Sequence, residues 1–201
     1  MNPFRPEDRT MSTAMPRFSV PLAIVFAAVM IATRFHHFGT ALHLPDASMA
    51  LFFLGGLWLR RHLAFAAFMA LAVVLDWVSV SYAGVSDFCV TPAYSFLLPA
   101  YAVLWYAGRL WSARMAPAPL ALAGAFGVAL VAASVSFAIS NGAFYWLGGR
   151  YANPHLGEYV ARLWQWGPLF VRTTLTYVIV ALAAYWALAR VNSTRQAGTR
   201  A

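Results

Sequence analysis

The sequence predicts an all-α integral membrane protein of six transmembrane helices, and three observations carry that expectation. The 201 residues are 62% hydrophobic and only 10% charged, whereas an ordinary soluble domain carries about 25% charge. Six apolar stretches follow one another with no long linker or low-complexity run between them, so the chain reads as one domain. The fourteen basic residues are all arginine and lie mostly between those stretches, the placement that orients helices in a bilayer. A net charge of +8 would suit nucleic acid, but no continuous phosphate-tracking patch exists, and topology accounts for the arginines better.

The segments can be taken in order. Residues 1–17, polar and Pro-containing, read as a disordered cytoplasmic lead. Phe18–Thr33 could pass for a signal peptide. It lacks a small-residue cleavage site before Arg34–His37, and five similar segments follow, so it is kept as helix 1. Its Ala23/Ala27 and Ala28/Ala32 pairs would permit close helix approach, though the spacing is cheap in so Ala-rich a chain. Ala47–Leu59 is short of the ~20 residues that cross a bilayer, so helix 2 is expected to begin near Leu42. Helix 3 is expected at Leu63–Tyr82 and helix 4 at Pro92–Leu110, with Thr91 as N-cap and Pro92 in the first helical position. Helices 5 and 6 are expected at Pro119–Ser140 and Gly167–Leu188, leaving a transmembrane domain over 18–190 and a cytoplasmic tail over 191–201.

Orientation follows from the arginines. With both termini inside, Arg5, Arg9, Arg17, Arg60, Arg61, Arg109, Arg114, Arg190, Arg195 and Arg200 are cytoplasmic, against Arg34, Arg150, Arg162 and Arg172 opposite. Ten against four is a positive-inside bias, which in a bacterium puts loops 34–46, 83–91 and 141–166 in the periplasm. Those loops hold four of the five histidines, the only cysteine and many aromatics. Long polar and aromatic connections at one face are where a scaffold usually carries function. Trp146, Trp164 and Trp166 in them fit an interfacial aromatic belt equally well.

Cys89 stands closest to chemistry. It sits just before helix 4 in SDFCVTP, where the helix dipole favours a thiolate and a soft ligand for a transition metal. The bland reading is a small buried hydrophobe. A lone cysteine excludes an intramolecular disulfide framework. Asp76 interrupts the apolar run of helix 3; a carboxylate there needs a polar cavity or a partner, an Arg or His from a neighbouring helix. His36, His37 and His43 share a loop without the spacing of a metal site, so a single imidazole contacting a ligand is preferred. Tyr94, one turn into helix 4, offers a hydroxyl on an aromatic body. Arg162, ahead of helix 6, is a ligand contact or an interfacial anchor, and Asn141, Asn153 and Gln165 add amides to the same face. No Walker A loop, GxSxG, HExxH or dinucleotide fingerprint occurs.

The segments HHFG…LHLPDAS, the LDW of helix 3, DFCVTPAY and an Arg ahead of helix 6 together resemble the BtuM family. These are predicted cobalamin transporters of Gram-negative bacteria, related to the substrate-binding S-components of energy-coupling factor (ECF) transporters. The resemblance runs from His37 through helix 6 and implies an S-component-like bundle in the inner membrane that binds cobalamin from the periplasmic side. It implies Cys89 as an axial cobalt ligand, with His37, Asp76, Tyr94 and Arg162 as the other binding positions. It also implies that thiolate ligation labilises the opposite ligand, so that cyanocobalamin loses cyanide, and that an ECF-type module is a candidate energising partner. Three other readings stand beside it: an S-component-like transporter of another vitamin or a metal ion, a membrane enzyme with Cys89 as nucleophile, and a structural or assembly subunit. Whether the chain counts as an enzyme is left open by the sequence.

Overall fold

The structure, a computed structural model, describes residues 19–34, 44–87 and 90–198. The described residues form helices and turns only: α1 (Ser19–Arg34), α2 (Ser48–Trp58), α3 (His62–Tyr82), a 3-10 segment (Pro92–Phe96) leading into α4 (Leu97–Trp111), a 3-10 turn (Ser112–Arg114), α5 (Pro119–Leu147) and α6 (Leu156–Gly198). Three helices, α3, α5 and α6, are long and apolar enough to cross a membrane by length and composition, and α1 and α2 are shorter apolar helices. Only 22%, 33% and 17% of the most apolar windows of α3, α5 and α6 are buried inside the protein. Ile24, Val25, Val74, Trp77, Val131, Ile179 and Val180 all point outward. So much exposed apolar surface is unsuited to water and suited to lipid. The chain is a membrane-embedded multi-pass protein.

The short α2 is the hub. Ser48 and every residue from Ala50 to Leu57 are buried, and α2 contacts α1, α3, α4 and α6. Its tightest neighbour is α4, and glycine explains why. A Cβ on Gly56 would lie 1.9 Å from the Trp105 carbonyl oxygen, and one on Gly108 would lie 2.2 Å from the Phe53 carbonyl oxygen. Small residues let two backbones touch where side chains would hold them apart. Around that contact Phe52 stacks on Tyr101, with centroids 4.2 Å apart at 12°, and Trp105 and Phe68 close the core.

Several expected boundaries are corrected. Helix 2 does not begin near Leu42: residues 44–47 are non-helical and α2 starts at Ser48. Asp46 Oδ1 accepts from both the Ser48 amide (2.8 Å) and hydroxyl (2.6 Å), a side-chain turn that competes with helix and fixes its start. Because α2 is sheathed by other helices, it needs no length to match the bilayer. Helices 5 and 6 run on to Leu147 and back to Leu156, so the expected 26-residue loop shrinks to 148–155. Its true breakers are Gly149, left-handed at φ 67° as suits a helix C-terminus, and Pro154. Pro168 lies inside α6 and does not start it.

Thr91 has the extended backbone of a cap but makes no side-chain cap bond, and Pro92 opens a 3-10 segment before α4 proper. Arg34, expected in a loop, is the last residue of α1.

Candidate functional site

At one end of the bundle, made by the C-termini of α1, α3 and α5 and the N-termini of α2, α4 and α6, lies a cavity of about 550 Å³. All six helices therefore contribute alternate ends to one site, as an up-and-down bundle requires. Its lining is mixed. Met49, Leu97, Phe137, Leu169 and Phe170 are apolar, while Arg34, Asp46, Asp76, Tyr94 and Arg162 are polar or charged. That composition, apolar walls with a few convergent polar groups, is typical of a small-molecule site.

The floor is built on Arg34, which is 3% exposed. Its Nε donates to Asp76 Oδ1 (2.7 Å) and its Nη2 to Asp76 Oδ2 (2.8 Å), a two-pronged pair. Nη1 donates to Ser48 Oγ (2.7 Å) and to the Tyr101 hydroxyl (3.0 Å). The Tyr94 hydroxyl donates to Asp76 Oδ2 at 2.7 Å. Asp46 Oδ2 stands 3.7 Å from Nη1. The geometry matches what each group needs: the planar guanidinium fork meets a planar carboxylate, and the remaining oxygen sites receive hydroxyl donors. Local sequence sets this up. Arg34 is carried by the last turn of α1, and Tyr94 and Tyr101 are seven residues apart, two turns along one face. Thus α1, α2, α3 and α4 are tied at one buried cation.

The α5–α6 side supplies the opposite wall. The guanidinium of Arg162 lies 4.8 Å from the Tyr151 ring centroid and 5.9 Å from that of Tyr145, in the range of cation–π attraction. Arg162 Nε and Asn141 Oδ1 are buried without hydrogen-bond partners among the described residues. Tyr145, 1% exposed, clips the turn: its hydroxyl donates to Glu158 Oε2 (2.8 Å) and accepts from the His155 amide (2.8 Å). His155 Nδ1 in turn accepts from the Glu158 amide (3.3 Å), capping α6.

No protein-family model and no curated protein matches the chain. What it does is therefore read from this cavity and the residues around it.

Of the five residues singled out in the sequence, Asp76, Tyr94 and Arg162 line the same cavity. Arg162 is not ahead of helix 6 but on its second turn, so its side chain is set by helix geometry and aromatic packing. His37 and Cys89 lie outside the described residues, as do His36 and His43. The adjoining residues Pro45 and Asp46 on one side, and Ser86 and Val90 on the other, line the cavity. Trp166 also lines it, whereas Trp164 and Trp146 are 78% and 44% exposed, as a belt would be.

Sequence reasoning missed Arg34, Asp46, Ser48 and Tyr101 as site residues. A usable signal existed for two of them. Asp76 demanded a cationic partner, and Arg34 is the only arginine directly continuous with an apolar helix C-terminus at the same end; Tyr101 repeats Tyr94 two turns on.

Proposed function

We propose that this chain binds a corrinoid, cobalamin, in the cavity and carries it across the bacterial inner membrane. The observation that carries the reading is the convergence of Asp76, Tyr94 and Arg162 on one cavity that Val90, the neighbour of Cys89, also lines. Those positions come from three different helices, and they are the ones that the resemblance to BtuM-type transporters implies. In this reading all six helices span the bilayer with both termini inside. The cavity opens to the periplasm, because the ten arginines at the far end and in the termini set the cytoplasmic side. The bundle is then S-component-like, and an ECF-type energising module is the candidate partner, since the chain carries no nucleotide-binding motif.

The chemistry is consistent with such a ligand. Aromatic and apolar walls cover ring surface, while the peripheral amides of a corrin accept hydrogen bonds from Arg162 and donate them to the Tyr94 hydroxyl oxygen and to Asn141 Oδ1. A whole corrinoid exceeds 550 Å³, so part of it rests at the mouth. There the Cys89 thiolate gives its electron pair to cobalt, and the lower nucleotide base leaves with its own pair. Donation through sulfur weakens the bond to the opposite ligand. Cyanide departs with its bonding pair and takes a proton, leaving the cobalt oxidation state unchanged.

The test is the visible spectrum of protein purified with cyanocobalamin, beside the Cys89→Ser variant. The wild type is expected to hold a corrinoid with a shifted, non-cyano spectrum that Cys89→Ser lacks. Identical cyano-type spectra in both would remove the thiolate ligation.

A further inference from the structure

We propose that the hydroxyl of Ser136 is a ligand contact of the cavity and bonds a carboxamide on the rim of the corrin. The inference deepens the corrinoid reading and rests on it. The starting point is the sequence of α5. Ala125, Ala129, Ala132 and Ser136 recur at helical spacing and are all buried, none more than 3% exposed. They form one stripe turned into the bundle. Three alanines let neighbouring helices approach closely. Where the stripe reaches the cavity, the fourth position is a serine that lines it.

A serine inside an apolar helix can give its hydroxyl proton to a backbone carbonyl three or four residues back. The other two serines of α5 do so, Ser134 to Leu130 at 2.9 Å and Ser140 to Phe137 at 3.2 Å. The buried Ser79 and Thr174, which line the same cavity, do likewise, to Leu75 at 2.7 Å and Phe170 at 2.9 Å. Ser136 does not. It is 1% exposed, yet its hydroxyl makes no hydrogen bond among the described residues. A buried hydroxyl without a partner costs free energy, and a fourth alanine would have avoided that cost.

The rest of the polar lining falls into two halves. On the α1–α4 side, Arg34, Asp46, Ser48 and Asp76 bond one another and are satisfied from within. On the α5–α6 side, Asn141 Oδ1 and Arg162 Nε join Ser136 in having no hydrogen-bond partner among the described residues. Ser136 precedes Asn141 by five residues, so it sits about 7.5 Å nearer the bundle centre along the helix axis. It therefore adds a deeper contact to the one that Asn141 and Arg162 offer. A hydroxyl is uncharged, gives one proton and accepts others, which suits a neutral group that is donor and acceptor at once. A primary carboxamide is such a group. The corrin rim carries several, whereas the nucleotide loop ends in a phosphodiester, a sugar and a base.

The test is calorimetric titration of the wild type, Ser136→Ala and Ser134→Ala with two probes, cyanocobalamin and dicyanocobinamide. The second keeps the corrin rim and lacks the nucleotide. Ser136→Ala should bind both about 3- to 10-fold more weakly than the wild type, the worth of one neutral hydrogen bond. Ser134→Ala, on the outward face, should match the wild type. The melting temperature of ligand-free Ser136→Ala should not fall, because no bond within the fold is lost. Equal affinities of wild type and Ser136→Ala would overturn the contact and leave the corrinoid reading standing. A loss confined to cyanocobalamin would place the contact on the nucleotide and overturn the rim assignment. A lowered melting temperature of the ligand-free variant would also overturn it, since the hydroxyl would then be bonded within the fold. If the wild type binds neither probe, the corrinoid reading falls and this contact falls with it.

Discussion

Replacing Arg34 by Met is the most informative perturbation of the fold, because the structure ties four helices to that one side chain. The substitution preserves approximate length and apolar volume and removes only the guanidinium. It deletes four hydrogen bonds, to Asp76 twice, to Ser48 and to Tyr101, at 2.7 to 3.0 Å. It also strands two carboxylates whose side chains are 17% and 18% exposed. Breaking a buried ion pair from one side costs about 3–5 kcal/mol, since the partner stays charged and unpaired. Replacing both partners avoids that penalty, so Arg34→Met with Asp76→Asn should recover more than half of the loss. The assay is unfolding in mild detergent followed by tryptophan fluorescence, with both single variants and the double variant forming a cycle. A cost for Arg34→Met below about 1 kcal/mol, the range of an exposed pair, would refute the view that Arg34 is a buried hub. So would a double variant no more stable than the singles.

Other substitutions probe separate parts of the account. Gly56→Ala pushes a methyl into the Trp105 carbonyl and should destabilise the α2–α4 contact by about 1–3 kcal/mol or more. Gly127→Ala, where nothing lies within 4 Å, should be neutral in the same melting assay. Tyr145→Phe removes the acceptor of the His155 amide and the donor to Glu158, for an expected loss of about 1–3 kcal/mol read as a lower melting temperature. Arg60 follows the end of α2 with φ at 63°, a conformation that costs an L-residue roughly 1–2 kcal/mol. Arg60→Gly should therefore raise the melting temperature, and a fall would show that the arginine contributes a compensating contact.

Much of the fold was legible because hydropathy reports directly on lipid-facing helices. The ends of α3 were placed within a residue, since an apolar run and polar flanks coincide there. Pro119 was placed as the start of α5, but the C-terminal end of α5 and both ends of α6 were not, because the polar and aromatic residues over 141–147 and 156–166 and the polar ones over 192–198 interrupt the apolar run while the helix continues. Hydropathy stops at the membrane surface, whereas backbone hydrogen bonding does not. The short α2 misled for a related reason: its length answers to the neighbours that enclose it. In the site, Asp76 and Tyr94 were visible from the cost of a carboxylate in an apolar run and from helix spacing. Arg34, Asp46 and Ser48 were harder to see, since the contacts of Arg34 join residues 12 to 67 positions apart and arise only once α1 to α4 are packed. Arg34 also looked like an ordinary flanking arginine, and only its burial of all but 3% distinguishes it.

The central claim, that the cavity holds a corrinoid, is tested most directly by the cobalt content of purified protein. Cells are grown with cyanocobalamin, and the wild type is compared with Thr173→Trp, which fills the cavity wall, and Leu130→Trp, which alters an outward face. The account predicts about one cobalt per chain in the wild type and in Leu130→Trp, and almost none in Thr173→Trp. Cobalt at background level in all three, or undiminished in Thr173→Trp, would contradict it.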